Sequence, residues 1–333
     1  MRQMKAVTLP KYGGPEVLEI RDVPTPEPAP GEVLVRVRSS ALNRADLLQR
    51  QGRYPGPPGA SVEIAGMEYA GEIARLGAGV TGWREGERVY GIVAAGAHAE
   101  YVAVAAATLA RIPDALDWRA AGAVPEAYIT AHDALVTQGG LRDGERVMVH
   151  AVGSGVGLAV VQVARALGAR VFGTARTASK LGAATAEGMD GGVAVTDDLE
   201  AVVAAARAWS GGPGVDLVID LVGGAYVPAG LAALAPRGRL VLVGLMAGVT
   251  ATIPLGALLS KRLTLRGTVL RSRTVAEKAE ATHLFADALG PLLARGILRP
   301  VIDSVFPMAE IRAAHERLGG NETVGKVVIT VAD

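Results

Sequence analysis

The 333-residue chain contains no cysteine. Disulfides, thiolate nucleophiles and a structural zinc lobe with four thiolates are therefore excluded. Aromatic residues make up only 4% of the chain. The cores of a chain this long, expected as two domains, must then rely on Ala, Val and Leu. Neither sign of charge is in excess: 34 basic residues face 33 acidic ones, for a net charge of +1. Such balance leaves no electrostatic footprint for nucleic acid and no polybasic membrane patch. No uninterrupted apolar run reaches transmembrane length. The N-terminus, Met1-Arg-Gln-Met-Lys-Ala-Val-Thr-Leu-Pro10, reads as an early strand and lacks a signal-peptide core. The expectation is a soluble, cytoplasmic protein. No internal repeat, low-complexity linker, Ser/His/acid constellation or carboxylate pair stands out, which speaks against hydrolysis. His98, His132, His150, His283 and His315 are scattered without ligand spacing and are expected as packing or surface residues.

What the chain does carry is a glycine turn. Val147-Met-Val-His-Ala-Val-Gly-Ser-Gly-Val-Gly157 joins a short apolar run to three glycines at alternate positions, Gly153, Gly155 and Gly157. A pattern of helical period follows through Gly168, then a second strand-like run, Arg170–Ala175. A buried strand, a tight turn and a helix in this order form the context in which a glycine triplet becomes a dinucleotide-binding motif. Glycine lets the backbone turn sharply and lets a pyrophosphate approach it. The free N–H groups at the helix start, with their partial positive charge, then hold the phosphates.

Residues 1 to about 124 are rich in Gly, Pro and short β-like runs: Glu32–Arg38, Met67–Ile73 and Arg88–Val93. Turn signals at Pro28–Gly31 and Pro55–Gly59 separate the elements. From about 125 the texture becomes strand–helix alternation, with further strands at Val171–Ala175, Val193–Thr196, Leu217–Val222, Arg239–Gly244 and Leu263–Val269. Six such strands predict a doubly wound parallel α/β sheet of Rossmann type, in the order 3-2-1-4-5-6. A helix pattern over 271–294 and strand-like pieces at Val301–Phe306 and Lys326–Val331 complete the chain.

These residues resemble a zeta-crystallin-type quinone oxidoreductase of the medium-chain dehydrogenase/reductase superfamily, in the branch of the tumour-suppressor-inducible enzymes. The resemblance runs over essentially the whole chain. Its carriers are Ala41–Tyr54 (the most branch-specific), Gly66-Met-Glu-Tyr-Ala-Gly71, Ala97-His-Ala-Glu-Tyr-Val102, the glycine turn, Val243-Gly-Leu-Met246 and Leu270-Arg-Ser-Arg273. It implies a GroES-like, mostly β catalytic domain over 1–124, completed by 271–333. It also implies a Rossmann nucleotide-binding domain over 125–270, with a cleft between the two. Zinc-dependent relatives have a cysteine at the position of Asn43 and a histidine at that of Met67. Amide and thioether cannot replace thiolate and imidazole around zinc, and Glu68 alone is not a site. No metal is expected.

The position of the acid that binds a ribose 2′-hydroxyl in NAD-preferring folds falls at Ala175-Arg-Thr-Ala-Ser-Lys180, which has none. Arg176 and Lys180 offer a fork and a point charge for a 2′-phosphate, and Thr177 or Ser179 can donate to it. NADPH is therefore the expected cofactor, although Val195 stands near where related enzymes often carry a tyrosine over that phosphate. The family pattern places Ser154, Gly155 and Val156 on the pyrophosphate through backbone N–H groups. It puts Gly244, Leu245 and Met246 beneath the nicotinamide end, Leu270 at the carboxamide and Asn321 closing the site from the tail.

Hydride transfer asks the protein for orientation and a dry pocket. Without a metal the acceptor must already be electrophilic, as a quinone is. Asn43 is the first candidate for positioning, through its amide, the nicotinamide ribose or the acceptor oxygen; otherwise it is a turn residue satisfying local backbone. Tyr54 could stack on a quinone and donate to its oxygen, or serve as a loop anchor. Thr130 would face the nicotinamide, and Asp46 would pin a helix start. Quinone reduction leads. Reduction of α,β-unsaturated carbonyls or enoyl thioesters is the alternative, and a non-catalytic crystallin-like or RNA-binding role is the alternative of another class. The apolar edge Leu263–Val269, which relatives pair across a two-fold axis, points to a homodimer.

Overall fold

The computed structural model describes residues 2–57, 63–195 and 198–331. Pro58 and Gly59 of the expected Pro55–Gly59 turn, and Thr196 at the end of the expected third parallel strand, lie outside the described residues. The chain divides into two compact units, one formed by Met1–Ile129 with Leu270–Asp333 and the other by Thr130–Val269.

In the first unit, strands β1 (Gln3–Thr8) and β2 (Glu19–Pro24) form an antiparallel ribbon. The main sheet is built on β3 (Glu32–Leu42), β4 (Glu68–Leu76), β5 (Arg88–Ile92), β6 (Tyr101–Ala105) and β7 (Ala110–Arg111). Helix α1 (Arg44–Arg50) follows β3, and α2 (Trp118–Gly122) and α3 (Pro125–His132) follow β7. The division between the units falls inside α3. β3 runs to Leu42, four residues beyond its clear alternation, because Ser39–Leu42 are all buried and pair with the tail of the chain.

The second unit alternates as its pattern predicts: β8 (Arg146–Val149), α4 (Gly155–Ala166), β9 (Arg170–Ala175), α5 (Ala178–Ala186), β10 (Gly191–Ala194), α6 (Leu199–Trp209), β11 (Val215–Asp220), α7 (Tyr226–Ala233), β12 (Leu234–Leu242), α8 (Leu255–Lys261) and β13 (Thr264–Gly267). All six strands are parallel, in the order β10-β9-β8-β11-β12-β13. In order of sequence this is the 3-2-1-4-5-6 arrangement of a doubly wound sheet. The apolar runs of β8, β9 and β11 are buried on both faces, as helices on each side of a parallel sheet require. β13 ends the sheet, and all four of its residues are exposed.

The returning segment adds α9 (Val275–Ala294), β14 (Ile302–Pro307), α10 (Ile311–Gly319) and β15 (Lys326–Thr330). β15 lies between β14 and β3 inside the seven-stranded sheet of the first unit.

Candidate active site

The glycine turn is built by local rules. Ser154 caps α4, its Oγ accepting the Gly157 N–H at 3.0 Å. The Ser154 N–H is already engaged, donating to the Ala151 carbonyl at 3.0 Å. Gly155 and Val156, the first two residues of the helix, have no intrahelical acceptor for their N–H groups. They offer the anion-binding donors of this turn. Gly157 must lack a side chain: a Cβ there would stand 2.6 Å from the Ala151 carbonyl oxygen and 2.7 Å from that of Val152. At Gly153 a Cβ would instead meet the aliphatic stem of Lys180, at 2.8 Å.

Ala175 ends β9, buried, and Arg176 and Thr177 follow it at the exposed surface. Thr177 caps α5, accepting from the Lys180 N–H at 3.4 Å, and its hydroxyl lies 3.0 Å from Ser179 Oγ. Gly244, Leu245 and Met246 follow β12 in a loop pinned to the neighbouring strand. The Val243 N–H donates to the Asp220 carbonyl at 2.8 Å and the Ala247 N–H to that of Val222 at 2.8 Å. Leu245 and Met246 are 48% and 43% exposed, an apolar surface that the core does not use. Thr130 is buried within α3.

The first unit gathers a different set. Lys326 and Glu68 are 4% and 0% exposed, and Lys326 Nζ donates to Glu68 Oε1 at 2.6 Å. The ammonium also donates to Asn43 Oδ1 at 2.6 Å, and Asn43 Nδ2 donates to Glu68 Oε1 at 2.8 Å. The Asn43 amide is thus engaged at both ends within a triangle of which Lys326 and Glu68 are the buried corners. Glu68 Oε2 accepts the Glu126 N–H at 2.9 Å, which fixes the start of α3. Asp46 Oδ2 accepts the Asn43 N–H at 2.7 Å at the start of α1. Burial raises the Asp46 carboxyl to about 7 and that of Glu126 to about 8, with the charge of Glu68 pushing both the same way.

Tyr54 follows α1. The Arg271 guanidinium lies 4.7 Å from its ring centroid and donates to its carbonyl at 3.1 Å. Burial raises the Tyr54 phenol above its ordinary value, so the hydroxyl stays protonated and remains a donor. Leu270 is buried in this unit. Asn321 sits just past α10 in the left-handed region at φ 61°, its Oδ1 accepting from Arg44 Nη2 at 2.6 Å.

The expected residues therefore fall into two groups. Asn43, Tyr54, Leu270 and Asn321 belong to the first unit. Thr130, the glycine turn, Ala175–Lys180 and Gly244–Met246 belong to the second. Lys326, Glu126 and Arg271 were missed as site residues. They lie 258, 58 and 222 positions along the chain from the groups they touch, and no local pattern marks such meetings.

Comparisons with known proteins cover both units. Residues 29–114 match the alcohol dehydrogenase GroES-like domain and 155–287 the zinc-binding dehydrogenase family. A quinone oxidoreductase of Pseudomonas aeruginosa is 35% identical over 326 residues, covering 98% of this chain and 99% of that protein. The chain belongs to the quinone oxidoreductase family of the medium-chain dehydrogenase/reductases. A quinone oxidoreductase structure from Pseudomonas syringae pv. tomato superposes with a TM-score of 0.88 at 29% identity, covering 98% of this chain and 100% of that one. A mycobacterial protein solved with NADPH gives 0.86 at 29% identity, with the same coverage of both chains.

Although one of the matching families is named for zinc, the donors around Glu68 do not fit that ion in this family member. The groups beside its carboxylate are an amide and an ammonium, and the ammonium already neutralises it. Among the described residues no cluster of three His, Asp or Glu side chains could hold a metal. A dinucleotide does fit the second unit: two open N–H groups, a turn in which a Cβ at Gly157 would strike backbone, and cationic side chains past β9. The chain is an oxidoreductase, and no helix among its described residues is long and apolar enough to cross a membrane.

Proposed function

We propose that this oxidoreductase transfers hydride from NADPH to quinones without a metal. The observation that carries the reading is the Lys326 ammonium seated on Glu68. It closes the route by which a metal would polarise an unactivated alcohol or ketone, so the acceptor must be one that takes hydride unaided. The full-length likeness to quinone oxidoreductases supports the same class.

NADPH supplies the hydride. Gly155 and Val156 bind its pyrophosphate through backbone N–H groups, with Gly153, Ser154 and Gly157 shaping the turn. Past Ala175, Arg176, Thr177 and Lys180 receive the 2′-phosphate. Within the same unit Gly244, Leu245, Met246 and Thr130 serve the nicotinamide end. Tyr54 meets the acceptor with a protonated hydroxyl. Asn43 acts by holding Lys326 and Glu68 in register rather than by touching substrate, because its amide has no free end. The domain assignment follows this division of labour: a catalytic part from both ends of the chain and a nucleotide-binding part between them. The exposed edge strand β13, with exposed Leu255 and Leu259 on the preceding helix, supports a homodimer formed along that edge. Balanced charge supports a cytoplasmic enzyme without nucleic-acid partners.

The test is a fluorescence titration with NADPH and NADH, followed by steady-state rates with 1,2-naphthoquinone, a small enone and an enoyl thioester. NADPH should bind more tightly, and the quinone should give the highest kcat/KM. A chain that ignores NADPH, or prefers the enone or thioester, overturns the reading.

A further inference from the structure

Arg271 has no part in the function as described so far, yet it is 6% exposed. Its guanidinium donates through Nε to the Ala94 carbonyl at 2.8 Å, through Nη1 to the carbonyls of Tyr54 at 3.1 Å and Pro55 at 3.5 Å, and through Nη2 to Gln49 Oε1. Every one of these acceptors is neutral. Among the described residues no carboxylate is in ion-pair contact with it. Burying an unpaired charge is costly, and burial does lower the pKa of this guanidinium, but an arginine stays protonated at any ordinary pH. The first unit therefore keeps an uncompensated cation against the ring of Tyr54.

The nearby acids do not cancel it. Asp46 and Glu126 both contribute to the field at Arg271, and burial holds neither fully ionised at neutral pH. The Glu126 carboxyl has no hydrogen-bond partner among the described residues. The titratable and charged groups that share its electrostatic surroundings are Tyr54 after α1, Asp46 on α1, Glu68 on β4, Arg271 on the returning segment, Lys278 on α9 and Lys326 on β15.

We propose that Arg271 is a positioning residue for acceptor reduction: its unpaired guanidinium fixes Tyr54 and polarises the phenol as a donor to the acceptor oxygen, supplying electrostatic help that a metal would otherwise give. The inference rests on the reading that Tyr54 meets a quinone. When hydride, carrying two electrons and one proton, adds to the quinone, NADPH becomes NADP⁺ and one negative charge appears on an acceptor oxygen. The Tyr54 O–H bonds that oxygen, and water supplies the proton that completes the hydroquinone. A cation behind the phenol lowers the energy of this state more than that of the neutral quinone, which is what raises a rate.

The first readout needs no turnover. A UV-difference titration of the tyrosines, with Tyr54→Phe identifying the Tyr54 signal, should show the Tyr54 phenol ionising at higher pH in Arg271→Met than in wild type. The second is kinetic. Arg271→Met should lower kcat/KM for 1,2-naphthoquinone by roughly 10- to 100-fold, less than the roughly 100- to 1,000-fold for losing a transition-state donor outright, because the Tyr54 hydroxyl is still there. Its NADPH Kd should stay within about twofold. Because both residues act through one hydrogen bond, Arg271→Met with Tyr54→Phe should be little worse than the poorer single variant. Arg271→Lys, which keeps the charge but not the fork, should fall between. The third is the pH profile: wild-type kcat/KM should decline as Glu126 ionises and offsets the guanidinium, and Glu126→Gln should remove that decline. An unmoved Tyr54 titration, a quinone kcat/KM within about twofold of wild type in Arg271→Met, strictly additive losses, or an unchanged pH limb in Glu126→Gln would each overturn the proposal. If Arg271→Met does not fold, Arg271→Lys and the Glu126→Gln profile decide the matter. Wild-type rates are measured first: a wild type that binds NADPH but does not reduce quinones refutes the proposed function, while the tyrosine titration still tests the link between Arg271 and Tyr54.

Discussion

Replacing Lys326 by methionine removes the cation from a carboxylate that solvent does not reach. Breaking a buried ion pair on one side typically costs about 3–5 kcal/mol, because the remaining charge is left in a poorly polarisable surround. Here Glu68 keeps two donors, Asn43 Nδ2 at 2.8 Å and the Glu126 N–H at 2.9 Å. The loss should therefore sit at the lower end, about 3 kcal/mol. For a domain of this size that corresponds to a fall in Tm of roughly 6–12 °C. Urea unfolding of Lys326→Met, Glu68→Gln and the double variant measures it directly. Glu68→Gln alone strands the ammonium, whereas the double variant strands neither charge and should be more stable than the sum of the singles predicts by about 1–3 kcal/mol. A cost below about 1 kcal/mol for Lys326→Met, or strict additivity in the cycle, would refute the view that this pair is a closed, mutually dependent unit.

Other expectations follow from single contacts. Arg176→Ala should weaken NADPH by at least about tenfold, the worth of one charge-assisted contact, while leaving NADH nearly unchanged; equal losses in a parallel titration would sink the 2′-phosphate assignment. Gly157→Ala drives a methyl onto two backbone oxygens and should cost about 1–3 kcal/mol along with most NADPH affinity; thermal shift with and without NADPH measures both losses. Stability should peak near pH 6.5. Burial lowers His98 and His315 to about 3 and His150 to about 4, so below pH 6.5 the unfolded chain takes up protons that the fold refuses, and stability is lost as pH falls towards those values. Asp46 and Glu126 have the opposite sign. Their raised values favour the fold fully only below the unfolded values of 3.8 and 4.5, and this contribution is lost as pH rises from there through about 7 and 8, so the three histidines outweigh it up to about pH 6.5 and nothing opposes it above. A Tm that climbs steadily to pH 9 would contradict this balance.

Much of the fold could be read from the chain because its signals are local. The alternation of Glu32–Arg38 and the glycine turn each lie within a dozen residues, and the structure gives both the expected form. β12 starts at Leu234 rather than Arg239 because the strand tolerates Pro236 in an irregular stretch, where the register against β11 shifts between Val215 and Leu217. A proline in such a run reads as a breaker. The candidate site was legible where it is a turn and illegible where it is a meeting. Ser154 and Thr177, expected from the sequence as phosphate donors, prove to cap α4 and α5, and the Ser154 N–H is engaged with Ala151. Nothing in the spacing of Asn43 says that a lysine 283 positions away will occupy its oxygen. Arg271 belonged to a recognisable motif, but its hold on Gln49, Tyr54 and Ala94 depends on how the returning segment lies against α1 and the loop after β5.

The strand that begins at Lys326 also sets a timetable for biosynthesis. Residues 130–269 form a contiguous unit and can mature as soon as they leave the ribosome. The first 129 residues cannot, because the flank of β3 that β15 covers stays bare until Val327–Thr330 have been made. A nascent chain must therefore shelter an open sheet edge and an unneutralised Glu68 until Lys326 and the strand it opens are made. Premature termination before Lys326 would leave a sound nucleotide-binding module tethered to a half that cannot close.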